Sequence, residues 1–310
     1  MPKPLLLVTG GSGMVGRNLL EHPMIREWDV IAPSSSELDL CLSDKTQKFL
    51  EKHKPDAVIH AAGHVGGIHA NIANPVLFLE KNLVIGRNII MSCLHTGVKH
   101  FLNLASTCMY PRNASNPLSE QMILKGELEP TNEGYALAKI AATRLCQYIR
   151  LEHPHLHYKT LIPCNLFGRY DKFDPTASHL LPAIIMKIHT AKKENLDTVE
   201  IWGNGTARRE FMYAGDFADA VLLALADIRS IPDLMNCGIG SDYTINEYYK
   251  NVADVVGWSG EFVHNHDKPT GMHQKLSDIS LQQNWGWKAQ TSLNDGIRKT
   301  YEFFKSEDLK

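Results

Sequence analysis

The chain has 310 residues, of which 44% are hydrophobic and 21% are charged, and its formal net charge is −2. This composition is typical of a soluble globular protein with a large core, in one domain or two closely packed ones. The near-neutral charge argues against a nucleic-acid-binding protein, and no apolar run approaches the roughly 20 residues that would cross a membrane.

The cysteines are scattered along the chain and form no C-x-x-C pair, so we expect neither a zinc site nor a redox motif, and no bound metal. The N-terminal apolar run Leu5–Thr9 is too short for a secretory signal. Because thiols without a signal fit a reducing compartment, we predict a cytoplasmic protein. The cysteines are Cys41, Cys93, Cys108, Cys146, Cys164 and Cys237.

Short apolar runs alternate with helix-period segments over the first half of the chain. Strands are predicted at Leu5–Thr9 and at residues 28–32, 57–62, 101–105 and 160–163, and helices from Met14 onward and at residues 76–93 and 136–151. After residue 165 we predict a helix at 180–190, a strand at 198–202, and a strand near Phe211 followed by a helix at 216–228. Beyond about residue 231 we expect two short helices and a few strands. The alternation indicates an α/β fold with a doubly wound parallel sheet.

Glycines at positions 10, 13 and 16 lie between the first predicted strand and the first predicted helix. In a dinucleotide-binding turn they allow a tight turn, close approach of a pyrophosphate, and close helix–strand packing. The turn therefore predicts a Rossmann-type dinucleotide-binding domain at residues 1–165, with a return segment at about 211–230. Residues 166–310 would mainly form a smaller, interleaved substrate-binding domain.

The end of the second predicted strand, residues 32–36, holds serines where an NAD site usually has a carboxylate. The first carboxylate there is Glu37. Small hydroxyl residues leave room for a 2′-phosphate, and Arg17 could supply positive charge. The loop favours NADP over NAD, although it contains no Arg or Lys itself.

Tyr135 and Lys139 begin a predicted helix, and their spacing of four puts both on one helical face. An ammonium near a phenol favours the phenolate and lowers its pKa. Such a tyrosine can pass a proton to a carbonyl oxygen while a hydride arrives at the carbon. Ser106 follows the fourth predicted strand, where hydroxyl groups face the ligand crevice of a parallel sheet. These three residues predict a carbonyl reductase.

Eight motifs carry a resemblance to a known family. They are residues 10–16 (GGSGMVG), 61–68 (AAGHVGGI), 106–111 (STCMYP), 129–139 (EPTNEGYALAK), 163–168 (PCNLFG), 178–182 (SHLLP), 202–206 (WGNGT) and 209–211 (REF). With them the chain resembles the extended short-chain dehydrogenases and, more narrowly, the GDP-L-fucose synthase family, which epimerises and reduces GDP-4-keto-6-deoxymannose. The resemblance covers most of the chain and is weakest after about residue 230.

The resemblance implies a reductase triad of Ser106, Tyr135 and Lys139, and an acid/base pair of Cys108 and His179 for epimerisation. This chemistry is reasonable, because a 4-keto group acidifies the protons on C3 and C5. A thiol and an imidazole ordinarily titrate at about 8.5 and 6.5, close enough to neutral pH to exchange those protons. NADPH would then reduce the C4 ketone, with Tyr135 as proton donor.

The resemblance also implies a site for NADP, a site for a GDP-sugar and a homodimer formed through the helix that carries Tyr135. The implied cofactor contacts are Gly10, Ser12, Gly13, Met14, Val15, Gly16, Ser34, Asp39, Ala61, Ala62, Leu104, Tyr135, Lys139, Pro163, Asn165, Leu166 and His179. The implied substrate contacts are Ser106, Cys108, Asn165, Lys187, Trp202, Arg209 and Lys275. An arginine suits a diphosphate because its planar fork pairs with phosphate oxygens.

Three departures from the family pattern leave the exact sugar open. Arg169 and Tyr170 stand where the family commonly has Pro-His, His64 where bacterial members often have Lys, and Gly134 where they often have Pro. The same chemistry on a 3-deoxy sugar would give GDP-L-colitose, and a GDP-heptose is a further alternative.

Two other functions are less consistent with the sequence. A 4-epimerase that retains NAD would not need Cys108 or His179, and it does not fit the serine loop. A non-catalytic dinucleotide sensor would lack the tyrosine or the lysine, and both are present.

Overall fold

The computed structural model describes residues 2–174, 178–267 and 272–308. The helices are α1 (Met14–Glu21), α2 (Ser43–His53), α3 (Ile68–Ala73), α4 (Pro75–Thr96), α5 (Glu133–Glu152), α6 (Leu180–Lys193), α7 (Ala214–Ala226), α8 (Ile245–Val256), α9 (Ser280–Trp285) and α10 (Leu293–Asp308). The strands are β1 (Leu5–Thr9), β2 (Asp29–Ile31), β3 (Ala57–His60), β4 (His100–Leu104), β5 (His157–Pro163), β6 (Asn165–Phe167), β7 (Thr198–Trp202), β8 (Arg208–Arg209), β9 (Phe211–Tyr213), β10 (Leu234–Cys237), β11 (Tyr243–Thr244), β12 (Glu261–Asn265) and β13 (Gln274–Lys275).

Six parallel strands form the central sheet in the order β10-β5-β4-β3-β1-β2. Strand β1 lies between β3 and β2, so the direction of strand progression reverses beside it. Ligands of such sheets bind in the crevice at this reversal, outside the carboxyl ends of the strands. The predicted α/β fold with a Rossmann-type doubly wound parallel sheet is confirmed.

Alternating side chains along each strand build one apolar layer on each face of the sheet. Leu6 and Val8 of β1 point into the cluster that contains helix α7, whereas Leu7 points into the cluster that contains α2, α4 and α5. Strands buried on both faces read as continuous apolar runs, which is why these strands could be recognised in the sequence.

The chain beyond residue 165 forms a further core from α6, α8 and α10, which pack with β7. Within the described residues after 231 there are three helices, not the two short ones predicted, and α10 spans 16 residues. Helix α2 was also not predicted, because Phe49 and Leu50 are its only apolar residues and give no periodic pattern. The division of the chain into domains stays a prediction. No helix within the described ranges is long and apolar enough to cross a membrane.

Candidate active site

Apart from Tyr135 and Lys139 on α5, the predicted cofactor residues before residue 164 lie at the carboxyl ends of five neighbouring parallel strands. The glycine turn follows β1, Ser34 and Asp39 follow β2, and Ala61 and Ala62 follow β3. Leu104 and Pro163 are the last residues of β4 and β5. The sheet therefore brings together, at one of its edges, residues that are more than 150 positions apart in the sequence.

Of the glycines at positions 10, 13 and 16 of the turn, one leaves room for a ligand. A Cβ on Gly10, whose φ is +74°, would lie 2.7 Å from the carbonyl carbon of Ala61, and a Cβ on Gly16 would lie 2.2 Å from the oxygen of Gly10. A Cβ on Gly13 would meet only that oxygen, at 3.5 Å. The outer glycines are thus needed for packing, whereas the middle one keeps the surface before α1 open. The turn fits a dinucleotide pyrophosphate at this helix N-terminus.

Glu37 organises the serine loop after β2. Its carboxylate accepts hydrogen bonds from the N–H and the Oγ of Ser34, both at 2.8 Å, and Ser34 Oγ lies 2.8 Å from Ser36 Oγ. The backbone bond, and then the side-chain bond, lower the pKa of Glu37. Arg17, which could supply positive charge, has its guanidinium carbon 3.7 Å from the ring centroid of Tyr170, and its role at the cofactor stays a prediction.

The end of β4 and the start of α5 bring the predicted reductase triad together. Ser106 begins a short 3-10 helix, and its Oγ accepts a hydrogen bond from the N–H of Cys108 at 3.3 Å. Lys139 donates from Nζ to the carbonyl of Leu104 at 2.9 Å, and this Nζ lies 5.7 Å from the ring centroid of Tyr135. Because Leu104 ends β4, the lysine ties α5 to the strand end from which Ser106 extends.

Burial shifts the pKa of two members of this triad, Tyr135 and Lys139. It lowers the pKa of Lys139 to about 8, although Cys108 acts in the opposite direction. Burial also raises the pKa of Tyr135, and the charge of Cys108 adds to that rise. The pKa of Tyr135 therefore lies above its ordinary value and not below it, as we expected, because burial disfavours the phenolate. A tyrosine that stays protonated at neutral pH can act as a proton donor.

Cys108 lies in a pocket with two cationic side chains. The residue is 6% exposed, and burial raises the pKa of its thiol, whereas Lys275 and Lys139 act to lower it. Lys275 is directly opposite Arg209 in the pairing of β13 with β8. Burial lowers the pKa of Arg209 and that of Lys275. The carboxylate of Glu129 acts to raise both values. Three predicted substrate contacts therefore share one pocket.

Asn165 and His179 lie at the starts of the strand and the helix that follow β5. Asn165 opens β6, and its Nδ2 donates to the carbonyl of Glu210 at 2.8 Å. His179 is the residue before α6, and desolvation of its ring lowers its pKa. No hydrogen bond among the described residues joins His179 to Cys108, so the acid/base pair stays a prediction.

Lys187 and Trp202 form a second group at the outer side of the site. The Nζ of Lys187 lies 5.4 Å from the indole centroid, within the cation–π range, and donates to the carbonyl of Glu200 at 3.3 Å. Trp202 is 41% exposed, and the ring of His69 approaches it edge-on with centroids 6.1 Å apart. An exposed indole between a cation and an imidazole suits a nucleotide.

Sequence reasoning missed three residues of this site: His69, Glu129 and Glu210. The last two were visible as carboxylates inside the motifs at 129–139 and 209–211, and Glu210 is directly beside Arg209. A buried acid next to a basic residue was the signal that could have identified Glu210. His69 carried no such signal, since its contact with Trp202 depends on how α3 packs.

A cavity of about 750 Å³ is lined by residues such as Tyr243, Gln282 and Trp287, and by Ile239, whose N–H donates to Glu210. None of the predicted site residues lines it. Within the described part of the chain, no group of three or more His, Cys, Asp or Glu residues could hold a metal ion. The candidate site is therefore the side-chain cluster at the sheet edge.

Comparisons with known proteins agree with this geometry. Residues 6–238 match the family described as "NAD dependent epimerase/dehydratase family". The chain is 49% identical over 302 residues to a GDP-L-colitose synthase of Yersinia pseudotuberculosis, covering 97% of this chain and 98% of that one. It is 50% identical over 299 residues to a GDP-L-fucose synthase of Azorhizobium caulinodans, covering 96% of each. A solved GDP-mannoheptose C4 reductase from Campylobacter jejuni with NADP bound is 32% identical, with a TM-score of 0.88 and 98% of both chains covered. This chain belongs to the NAD-dependent epimerase/dehydratase family.

Proposed function

We propose that this chain is an NADPH-dependent epimerase/reductase that converts GDP-4-keto-6-deoxy-D-mannose to GDP-L-fucose, by epimerisation at C3 and C5 and reduction at C4. The observation that carries the proposal is the position of Cys108 in the pocket of Tyr135 and Lys139. Reduction of a ketone needs the hydroxyl groups and the lysine. A thiol beside them can in addition exchange protons on the neighbouring carbons. The relatives named for GDP-sugars, and the one with NADP bound, support the assignment.

Substrate binding relies on the cations of the pocket. Arg209 and Lys275, side by side on β8 and β13, bind the diphosphate, and Lys187 with Trp202 contacts the nucleotide. These groups hold the sugar so that its ketone faces Ser106, whose Oγ donates a hydrogen bond to the carbonyl oxygen. Because the sugar carbons next to the ketone then lie near Cys108, positioning and proton exchange are provided by one pocket.

Proton exchange precedes reduction. One of Cys108 and His179 removes the proton from C5 or C3 to leave an enolate at the C4 carbonyl, and the other returns a proton to the opposite face. NADPH, bound at the glycine turn, supplies the hydride that C4 receives. Tyr135 then donates its phenolic proton to the C4 oxygen. Lys139 stabilises the phenolate that remains.

A second candidate is a GDP-L-colitose synthase, favoured by the 49% identity to the Yersinia pseudotuberculosis enzyme over nearly the whole chain. That reaction uses a 3,6-dideoxy sugar, in which C3 carries no hydroxyl group, so only C5 is epimerised. Both candidate reactions would use all the residues discussed above. They differ in the chemistry at C3.

The decisive experiment supplies GDP-4-keto-6-deoxymannose and NADPH in heavy water and follows NADPH absorbance together with deuterium at C3 and C5. Label at both carbons with oxidation of NADPH is the result expected. Label at C5 alone, or exchange without oxidation, would replace the proposal by a colitose- or heptose-type enzyme. Neither exchange nor oxidation would contradict the GDP-deoxyhexose assignment altogether.

We infer in addition that the chain forms a homodimer through α4 and α5, which pack against each other. These helices expose Leu83, Leu137, Tyr148 and Leu151, and the last three share one face of α5. A second copy would remove this apolar surface from water. Light scattering coupled to gel filtration is expected to give a dimer for the wild type and a monomer for the double variant Tyr148→Glu, Leu151→Glu. Leu196→Glu, at an exposed leucine before β7, is the control, and a monomeric wild type would contradict the inference.

We also place the protein in the cytoplasm. All six cysteines are free thiols in the structure, and five of them are buried, which suits a reducing compartment. Cell fractionation of the tagged protein tests this, and its recovery with exported proteins would contradict it.

A further inference from the structure

Glu210 directly follows Arg209 and carries a buried carboxylate. The residue is 1% exposed. Its Oε1 accepts hydrogen bonds from the N–H groups of Ile239 at 2.7 Å and Gly240 at 2.9 Å, and its Oε2 accepts one from the N–H of Ser277 at 2.8 Å. No ion pair to Glu210 occurs within the described ranges, so backbone dipoles hold this charge.

The residues around Glu210 leave space for its carboxylate. A Cβ on residue 238 would lie 2.4 Å from Oε1, so only a glycine leaves room there. The backbone of Gly238 is held in turn by Gln282, whose side chain accepts from its N–H at 2.8 Å and donates to its carbonyl at 3.0 Å. A buried carboxylate is costly unless it is hydrogen-bonded, and hydrogen bonds to a charged group are stronger than those between neutral groups. The three bonds to Glu210 therefore form a strong connection between distant segments.

The connected segments are those that carry the cations of the site. Ser277 lies two residues after Lys275 on β13, and Ile239 and Gly240 follow β10, the edge strand of the central sheet. Strands β8 and β13 are two residues long, and their register places Lys275 opposite Arg209. So short a ladder has few hydrogen bonds of its own to fix that register. The carboxylate of Glu210 adds a restraint, because it joins the segment after β13 to the residue that follows β8 and both to the residues after β10.

We propose that Glu210 is a positioning residue for the diphosphate of the substrate, which holds Arg209 and Lys275 side by side by bonding the backbone of three segments. This inference rests on the proposed function, in which these two cations form the diphosphate site. Glu210 itself has no surface from which to touch a ligand. Its effect reaches the substrate through the geometry of the two cations.

The test is the variant Glu210→Gln, in which an amide N–H replaces one carboxylate oxygen and faces a backbone N–H. Titration calorimetry on the intact protein gives the Kd for GDP and, separately, for NADPH. Loss of a hydrogen bond to a charged group predicts GDP binding about tenfold to a hundredfold weaker. NADPH binding is expected to stay within about twofold of the wild type, because the Glu210 side chain bonds Ile239, Gly240 and Ser277, and the bond from Asn165 goes to its unchanged backbone carbonyl.

Glu120→Gln is the matched control. Glu120 is a half-buried acid whose Oε1 accepts the N–H of Asn236 on β10 at 2.7 Å, and it has no bond to β8 or β13. The Glu120→Gln variant tests whether loss of any carboxylate near this edge strand weakens GDP binding. We expect it to leave the Kd for GDP unchanged.

The outcomes separate the two levels of the hypothesis. If the wild type binds no GDP, the proposed function fails. If the wild type binds GDP and Glu210→Gln binds it equally well, or loses GDP and NADPH in parallel, the positioning role is overturned. Should Glu210→Gln not fold, Glu210→Asp retains the charge one methylene further back and is measured in the same way. If neither variant folds, Glu210 supports the whole fold and not the cations, which also overturns the proposal.

Discussion

Acid sensitivity of the fold is expected from a single histidine under the active site. His60 ends β3 and is 2% exposed, with its Nδ1 2.8 Å from the hydroxyl of Thr9. Burial lowers its pKa from 6.5 to about 3, and the ammonium of Lys139 acts in the same direction. The native protein therefore keeps His60 neutral over a pH range in which the unfolded chain protonates this residue.

The magnitude follows from linkage. Between pH 6.5 and about 3 the unfolded state binds more protons at His60 than the native state, so the free energy of unfolding falls as the pH falls. At pH 5, about 1.5 units below the unfolded value, the loss from His60 alone is about 2 kcal/mol, because one pKa unit corresponds to about 1.4 kcal/mol. At pH 7 the loss is almost absent. The result depends little on the exact native pKa, provided that it lies well below 5.

Urea unfolding at pH 7 and pH 5 measures this effect in the wild type and in His60→Asn. Asparagine can retain the hydrogen bond to Thr9 and carries no proton to gain. The variant is expected to be less stable at pH 7, but its free energy of unfolding should fall by about 2 kcal/mol less between the two pH values than that of the wild type. His95→Asn, at an exposed histidine near the end of α4, should retain the wild-type pH dependence. Identical pH dependence of the wild type and His60→Asn would refute the reasoning.

Further substitutions test the cofactor turn and the chemistry. Gly16→Ala brings a Cβ within 2.2 Å of a backbone oxygen and should lower the free energy of unfolding by about 1–3 kcal/mol in urea titrations. Gly13→Ala, with nothing closer than 3.5 Å, should retain stability and weaken NADPH binding measured by fluorescence, and equal stability of both variants would contradict the packing argument. Cys108→Ser is expected to slow deuterium incorporation into the sugar by about a hundredfold or more, whereas Cys41→Ser should not change it. Tyr135→Phe should slow NADPH oxidation by a similar factor and retain exchange, and loss of exchange in this variant would argue against separate roles.

The parts of the site that follow from strand order could be predicted from sequence. The strands Leu5–Thr9 and Thr198–Trp202 have the predicted bounds, since each is a short run of strand formers between loops. Once the strands are parallel, every segment that follows one must lie at the same edge of the sheet. This rule alone places the glycine turn, Ser106 and Pro163 near one another.

Contacts that depend on tertiary packing could not be predicted. The sequence suggested that Arg17 could supply positive charge, but it gave no sign that the loop after β6 places Tyr170 under its guanidinium. The spacing of the two residues suggested that Lys139 lowers the pKa of Tyr135, but burial of the phenol raises this pKa. The bonds of Glu210 join segments that are up to 67 residues apart. Periodicity carries no information about such bonds, because they depend on where loops meet.

Burial of Cys108, Lys139 and Lys275 together explains how one pocket can serve both epimerisation and reduction. Burial raises the pKa of the thiol and lowers those of the two amines, whereas the charged forms of thiolate and ammonium stabilise each other. A thiolate at Cys108 is therefore stabilised most when an ammonium lies beside it. A proton that passes from the thiol to a neutral amine adds no net charge to this desolvated site. Because the groups shift one another's pKa, we expect the pH dependence of either half-reaction to report the cluster and not a single residue.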